Sequence, residues 1–111
     1  MSQSTIDHAT FAGLQETAGI EFVTELVTTF LEEAPRMLAE LRSGQAAASA
    51  ERFRRAAHSL KSNGNTFGAL KLGDMARKLE LGELIADAAP LDALEAEYAR
   101  VTAALKGLCN G

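Results

Sequence analysis

Residues 52–70, "RFRRAAHSLKSNGNTFGAL", hold four of the eleven basic residues and one of the two histidines of a 111-residue chain whose formal charge is −4. Unrolled at about 100° per residue, the stretch separates into two faces. Phe53, Ala56, Ala57, Leu60, Gly64 and Phe67 gather within about 60° of the Leu60 direction. His58 points about 160° away from Leu60, and Arg54, Lys61, Ser62 and Asn65 join it at the spacings that make helical neighbours. The pattern predicts an amphipathic helix that buries one stripe and displays a histidine among cations and small polar groups. Adjacent sequence offers that imidazole no buried carboxylate.

The two glycines take different readings. In an exposed helix interior Gly64 would cost on the order of 1 kcal/mol against alanine; on the inward face its missing side chain lets a neighbouring helix come close. Gly68 is predicted as the turn residue between this helix and the next.

Working outward, Val23, Leu26, Val27, Phe30, Ala34, Met37, Leu38 and Leu41 fall at three-and-four spacing, which predicts one long helix from Ile20 to Leu41. Pro35 lies inside it and removes a backbone donor; the stripe keeps its phase across the proline, so a kink is expected rather than a break. Gly44 is read as the stop. The histidine helix is expected from about Ala46 to Asn63 and a third from Ala69 to Leu84. A fourth runs from Pro90, suited to a first helical position, to Leu108, with a stripe of Leu91, Leu94, Tyr98, Val101, Leu105 and Leu108. A short helix from Asp7 to Gln15 is expected to cap one end through Phe11 and Leu14, with Asp7 as its cap. His8 is read as lying in a frayed terminus without a role.

Composition agrees. Alanine and leucine supply 21 and 15 residues against six valines and isoleucines together, a balance that favours helix over sheet. The expected fold is all-α, an antiparallel four-helix bundle over 19–109 with residues 1–18 as an N-terminal cap segment, all one domain of 1–111. No apolar run reaches the roughly 20 residues that span a bilayer, and no signal peptide opens the chain. A cytoplasmic monomer is the expectation, although a domain excised from a longer chain would look the same. One basic patch on an acidic chain argues against nucleic acid. Cys109 has no partner for a disulfide and no metal-ligand neighbours; no metal site is expected.

An exposed helical histidine is by itself an ordinary surface residue. Here Ser62 and Asn65 keep the surface beside it low, so that another protein can approach, and Lys61 brings a charge suited to phosphate. The residues "AHSLKSNGNTFGALKLGDMARKLE", 57–80, resemble the signature of histidine phosphotransfer (HPt) domains of two-component phosphorelays, with His58, Leu60, Lys61, Gly68, Ala69, Leu79 and Glu80 matching. "FLEEAPRMLAEL" looks like the family's helix before the histidine. Ser62 departs from the family's frequent glycine. Glu80 stands where some relatives use a glutamine that bonds the histidine ring, and it reads either as an orienting carboxylate or, by preference, as an ordinary surface charge.

The resemblance implies that His58 takes a phosphoryl group from a receiver domain's phospho-aspartate and passes it to another receiver. Imidazole, with an ordinary pKa of about 6.5, offers a lone pair near pH 7 without a general base. Phosphoryl transfer rests on positioning and charge neutralisation, so Lys61 is implied to neutralise phosphoryl oxygens, Ser62 and Asn65 to line the contact, and Arg54 and Arg55 to attract the partner's acidic rim. The expected partners are receivers and a sensor or hybrid kinase; Mg²⁺ belongs to the receiver, and this chain needs no cofactor. Without a glycine-rich ATP loop it is expected to be a carrier, not an enzyme. Three alternatives stay open: an enzyme with His58 as base and Glu80 as orienter, a kinase dimerisation hairpin, disfavoured because Ser59 rather than an acid follows the histidine, and an unphosphorylated interaction bundle.

Overall fold

A computed structural model describes residues 5–82 and 87–110. It contains five helices, α1 (His8–Ala18), α2 (Ile20–Ala46), α3 (Ala50–Thr66), α4 (Leu70–Leu81) and α5 (Ala89–Asn110), and no strand among the described residues. Helix α2 packs on α3, α3 on α4, α4 on α5 and α5 back on α2, while α1 lies against α2 and α3. Neighbours run antiparallel: Arg52 reaches back to Glu40, Glu80 meets His58, and Arg42 near the end of α2 meets Asp92 near the start of α5. The four long helices therefore close a ring around one core, the expected bundle.

Each expected stripe is the buried one. Val23, Val27, Phe30, Ala34, Leu38 and Leu41 of α2, Phe53, Ala56, Ala57 and Leu60 of α3, and Leu91, Leu94, Val101 and Leu105 of α5 are all buried; Leu26, Met37, Tyr98 and Leu108 pack at its edge. Phe30 is the centrepiece, with the Phe67 ring 5.4 Å away and the Tyr98 ring edge-on at 5.9 Å. These offset and edge contacts suit the aromatic quadrupole.

Helix α2 runs unbroken through Pro35. Proline withdraws the donor that would have bonded the Leu31 carbonyl four residues earlier. That carbonyl instead accepts a long bond, 3.5 Å, from the Tyr98 hydroxyl on α5.

Gly44 is not the stop that its position suggested. It is buried inside α2, and a Cβ placed there would lie 3.0 Å from the Phe53 backbone nitrogen. The glycine lets α3 start against α2. The chain turns instead at Ala47 and Ala48, the latter at φ 54, so α3 begins later than expected, at Ala50, behind a cap by the Ser49 hydroxyl. Helix α4 is capped by Gly82 after Leu81; the expected end at Leu84 lies outside the described residues.

The N-terminal helix is longer and better anchored than expected. Asp7 caps it by accepting from the Thr10 hydroxyl and from the Thr10 N–H at 3.1 Å, and these bonds, the hydroxyl's first, hold the Asp7 carboxyl below the usual carboxylate range. Phe11 and Ile6 are both buried. The Asp7 N–H also donates to the Gly68 carbonyl at 2.7 Å, so the segment is seated on the α3–α4 turn. His8 opens an ordered helix and is not frayed. Gly68 itself has φ +84 and no room for a side chain, since a Cβ would stand 2.7 Å from the Asp7 oxygen; it is the turn glycine that was expected.

Candidate functional site

The site is built on the seam between α3 and α4, where the backbones approach closely. A Cβ on Gly64 would just touch Ala69 and Gly73 backbone atoms at 3.4 Å, so the inward-facing glycine has the close-approach role assigned to it. With α4 this near, a side chain in its last turn can reach the outer face of α3.

That side chain is Glu80. Its Oε2 lies 2.7 Å from His58 Nδ1 and its Oε1 lies 2.8 Å from Lys61 Nζ. The imidazole side chain is 58% exposed, whereas Glu80 is 19% exposed and Lys61 24%. The preference for an ordinary surface charge at position 80 is thus corrected: Glu80 is the ring's hydrogen-bond partner, and adjacent sequence gave no carboxylate because this one arrives from another helix. The Lys61 hydrogen bond holds the Glu80 carboxyl below its ordinary value, burial opposes it, and the His58 hydrogen bond adds to the lowering.

The pairing fixes the ring's chemistry. An ionised carboxylate only accepts hydrogen bonds, so Nδ1 carries the imidazole proton. The lone pair then belongs to Nε2, on the opposite edge of the ring. One hydrogen bond therefore both orients the ring and selects its nucleophilic nitrogen.

The other sequence-selected residues are arranged around this pair. Ser62 is exposed. Asn65 is exposed too, but its amide leans onto α4, occupying the space a side chain at Gly73 would need: a Cβ there would fall 2.0 Å from Asn65 Oδ1. Gly73 escaped the sequence reading; a second glycine inside a helix, costing on the order of 1 kcal/mol against alanine, was the available signal. Arg54 donates to the Gly82 carbonyl at 3.3 Å, tying α3 to the end of α4, and Arg55 pairs with Glu51 on its own helix. Both guanidiniums are exposed but neither is unengaged. A groove between α2 and α3, lined by Arg36, Met37, Arg55, Ala56 and Ser59, does not include His58 in its walls. The histidine stands exposed on the outer face of α3.

Among the described residues no group of three or more histidine, cysteine or acidic side chains is placed to hold a metal, and no helix is long and apolar enough to cross a membrane.

Comparison with known proteins agrees with this geometry. The family model for the Hpt domain matches residues 25–104. The crystal structure of histidine-containing phosphotransfer protein B (HptB) from Pseudomonas aeruginosa PAO1 is similar with a TM-score of 0.87 at 29% identity, over 98% of this chain and 97% of that one. No curated protein sequence matches. A bundle that displays a carboxylate-oriented histidine, matched by the family model over most of its length, belongs to the Hpt domain family, the histidine phosphotransfer modules of two-component phosphorelays.

Proposed function

We propose that His58 is the phosphoryl acceptor and that Nε2 is the reacting atom. The observation that carries this reading is the 2.7 Å contact between His58 Nδ1 and Glu80, which leaves the Nε2 lone pair directed at solvent. A receiver's phospho-aspartate is a mixed anhydride: Nε2 attacks phosphorus, the P–O bond breaks, and the aspartate leaves as a carboxylate. The reverse sequence discharges the group to a second receiver. The loose transition state asks for positioning and for positive charge near the equatorial oxygens, which the partner's Mg²⁺ and Lys61 of this chain would supply.

Exposed Ser62 keeps the approach to the ring low, and Asn65, held against Gly73, keeps the next turn clear as well. Arg54 and Arg55 give the face a positive rim that favours encounter with an acidic receiver pocket. On this reading the chain is a cytoplasmic, monomeric carrier of one domain that binds neither ATP nor a metal of its own. It works between a sensor or hybrid kinase and one or more receivers.

Mixing the wild-type and His58→Gln proteins with a phosphorylated receiver tests the assignment. The wild type should acquire an acid-labile, alkali-stable label and the variant none. An equally labelled variant would place the acceptor elsewhere, and an unlabelled wild type would favour an adaptor that binds without accepting.

A further inference from the structure

Glu80 is a carboxylate where an amide would suffice to accept the Nδ1 proton. Its two oxygens are divided, Oε2 to the ring at 2.7 Å and Oε1 to Lys61 at 2.8 Å, so the two donors do not compete for one atom. The other charged side chains of α3 and α4 have partners of their own: Arg52 with Glu40, Arg55 with Glu51, Lys71 with Glu97, and Arg77 and Lys78 with Asp74, while Arg54, one turn before His58, donates to the Gly82 carbonyl. Among the described residues the charged group in contact with Nδ1 is therefore Glu80, its charge tempered by Lys61 on its other oxygen and by Arg54 nearby.

That charge matters most once phosphorus is on the ring. An imidazole phosphorylated at Nε2 and protonated at Nδ1 is a cation; deprotonated, it is neutral. We propose that Glu80 keeps the ring of phosphorylated His58 in its protonated, cationic form, and so makes this chain a fast phosphoryl donor rather than a storage form. The proposal rests on reading His58 as the acceptor. During discharge the N–P bond breaks and its electron pair returns to Nε2, while an O–P bond forms to the receiving aspartate. With the Nδ1 proton in place the leaving group is neutral imidazole; without it the leaving group would be imidazolate, a far stronger base. The proton stays on Nδ1 throughout, and no other reactant is consumed.

The partial burial of Glu80 strengthens the coupling, because an ion pair shielded from water is less screened. Glutamine at this position keeps an oxygen to accept from Nδ1 but removes the charge. Glu80→Gln therefore separates the electrostatic role from simple orientation.

The test loads the 111-residue chain with phosphoramidate, a small phosphoryl donor, and follows the ring nitrogens and the phosphorus by ¹⁵N and ³¹P NMR as pH is raised. The phosphorylated wild type should keep its Nδ1 proton to a pH about one unit or more above that of Glu80→Gln, the size of shift an opposite charge within hydrogen-bond reach produces. Hydrolysis of the phosphorylated variant above neutral pH should be slower by about the same factor of ten. Lys61→Met, which leaves the carboxylate to the ring alone, should move the midpoint the other way. Coincident midpoints in wild type and Glu80→Gln would overturn the proposal while leaving the acceptor intact. A protein that takes no label on His58 would overturn the acceptor and the proposal together.

Discussion

Two seams of the bundle are made differently. Between α3 and α4 the backbones approach closely where Gly64 meets Ala69 and Gly73, the Asn65 side chain fills the space over Gly73, and the polar groups at the rim are few and shared: one carboxylate serves both a histidine and a lysine. Between α2 and α5 there is no such close approach. That seam is held by side chains reaching across: the Arg42 fork takes Glu95 with both Nε and Nη2 and Asp92 with Nη2, and Tyr98 reaches the Leu31 carbonyl. Close backbones leave few ways to move, and that rigidity is what a displayed nucleophile requires. Long charged side chains hold helices together more loosely, at a place where nothing has to be aimed.

The largest effect should come from the turn that sets the tight seam. Gly68→Ala places a Cβ 2.7 Å from a backbone oxygen at a φ of +84, and it should cost on the order of 2–3 kcal/mol in denaturant unfolding. A variant as stable as wild type would mean that the N-terminal segment does not sit on this turn. On the looser seam, Tyr98→Phe should cost under about 1 kcal/mol, since its hydroxyl bond is long at 3.5 Å, with the ring packing on Phe30 kept.

Acid should weaken both seams together. The carboxyls of Glu80 and Glu95 are held low chiefly by their hydrogen bonds to Lys61 and Arg42, and Asp7 by its bonds to Thr10. As pH falls below the ordinary carboxylate range of about 4, the unfolded chain takes up protons before the folded one does. The stability they contribute is therefore present above that range and lost as pH falls through the lower folded values. Glu80→Gln and Glu95→Gln should each flatten the acid side of a stability-versus-pH curve.

Smaller still, Arg42→Ala should lower the melting temperature slightly at low salt and barely at high salt, since its partners are solvent-exposed and screened. Lys61→Ala should lower the melting temperature only modestly, by the stability its pairing with Glu80 contributes, and slow receiver-dependent transfer about tenfold, the scale of a lost charge-assisted hydrogen bond. A large loss of stability in that variant would make Lys61 a structural strut.

What the sequence made legible was phase. Period 3.6 put Leu60 and Phe53 inside and His58 outside, because side-chain direction in a helix follows from counting residues. Glu80 was legible as a residue but not as a partner: its contact with His58 spans 22 positions and depends on how near two helices come. Gly44 was misread for the same reason, since a glycine marks either a stop or a close approach and only Phe53, on the next helix, decides which. Glu97 passed unnoticed altogether. It sits in the apolar stripe of α5 at 2% exposure, held by Arg100 at 2.9 Å with Lys71 at 3.9 Å, an arrangement that lets a buried charge persist.

The proline of α2 leaves one further consequence. By stripping Leu31 of its own helix's donor, Pro35 leaves a vacant acceptor in the interior of α2, and the Tyr98 hydroxyl reaches it at 3.5 Å. Two smooth helices can slide past each other by a turn at little loss; a notch and a peg cannot. The flaw in one helix thus indexes another, and replacing Pro35 with alanine would mend the rod while erasing the mark that fixes where α5 stops.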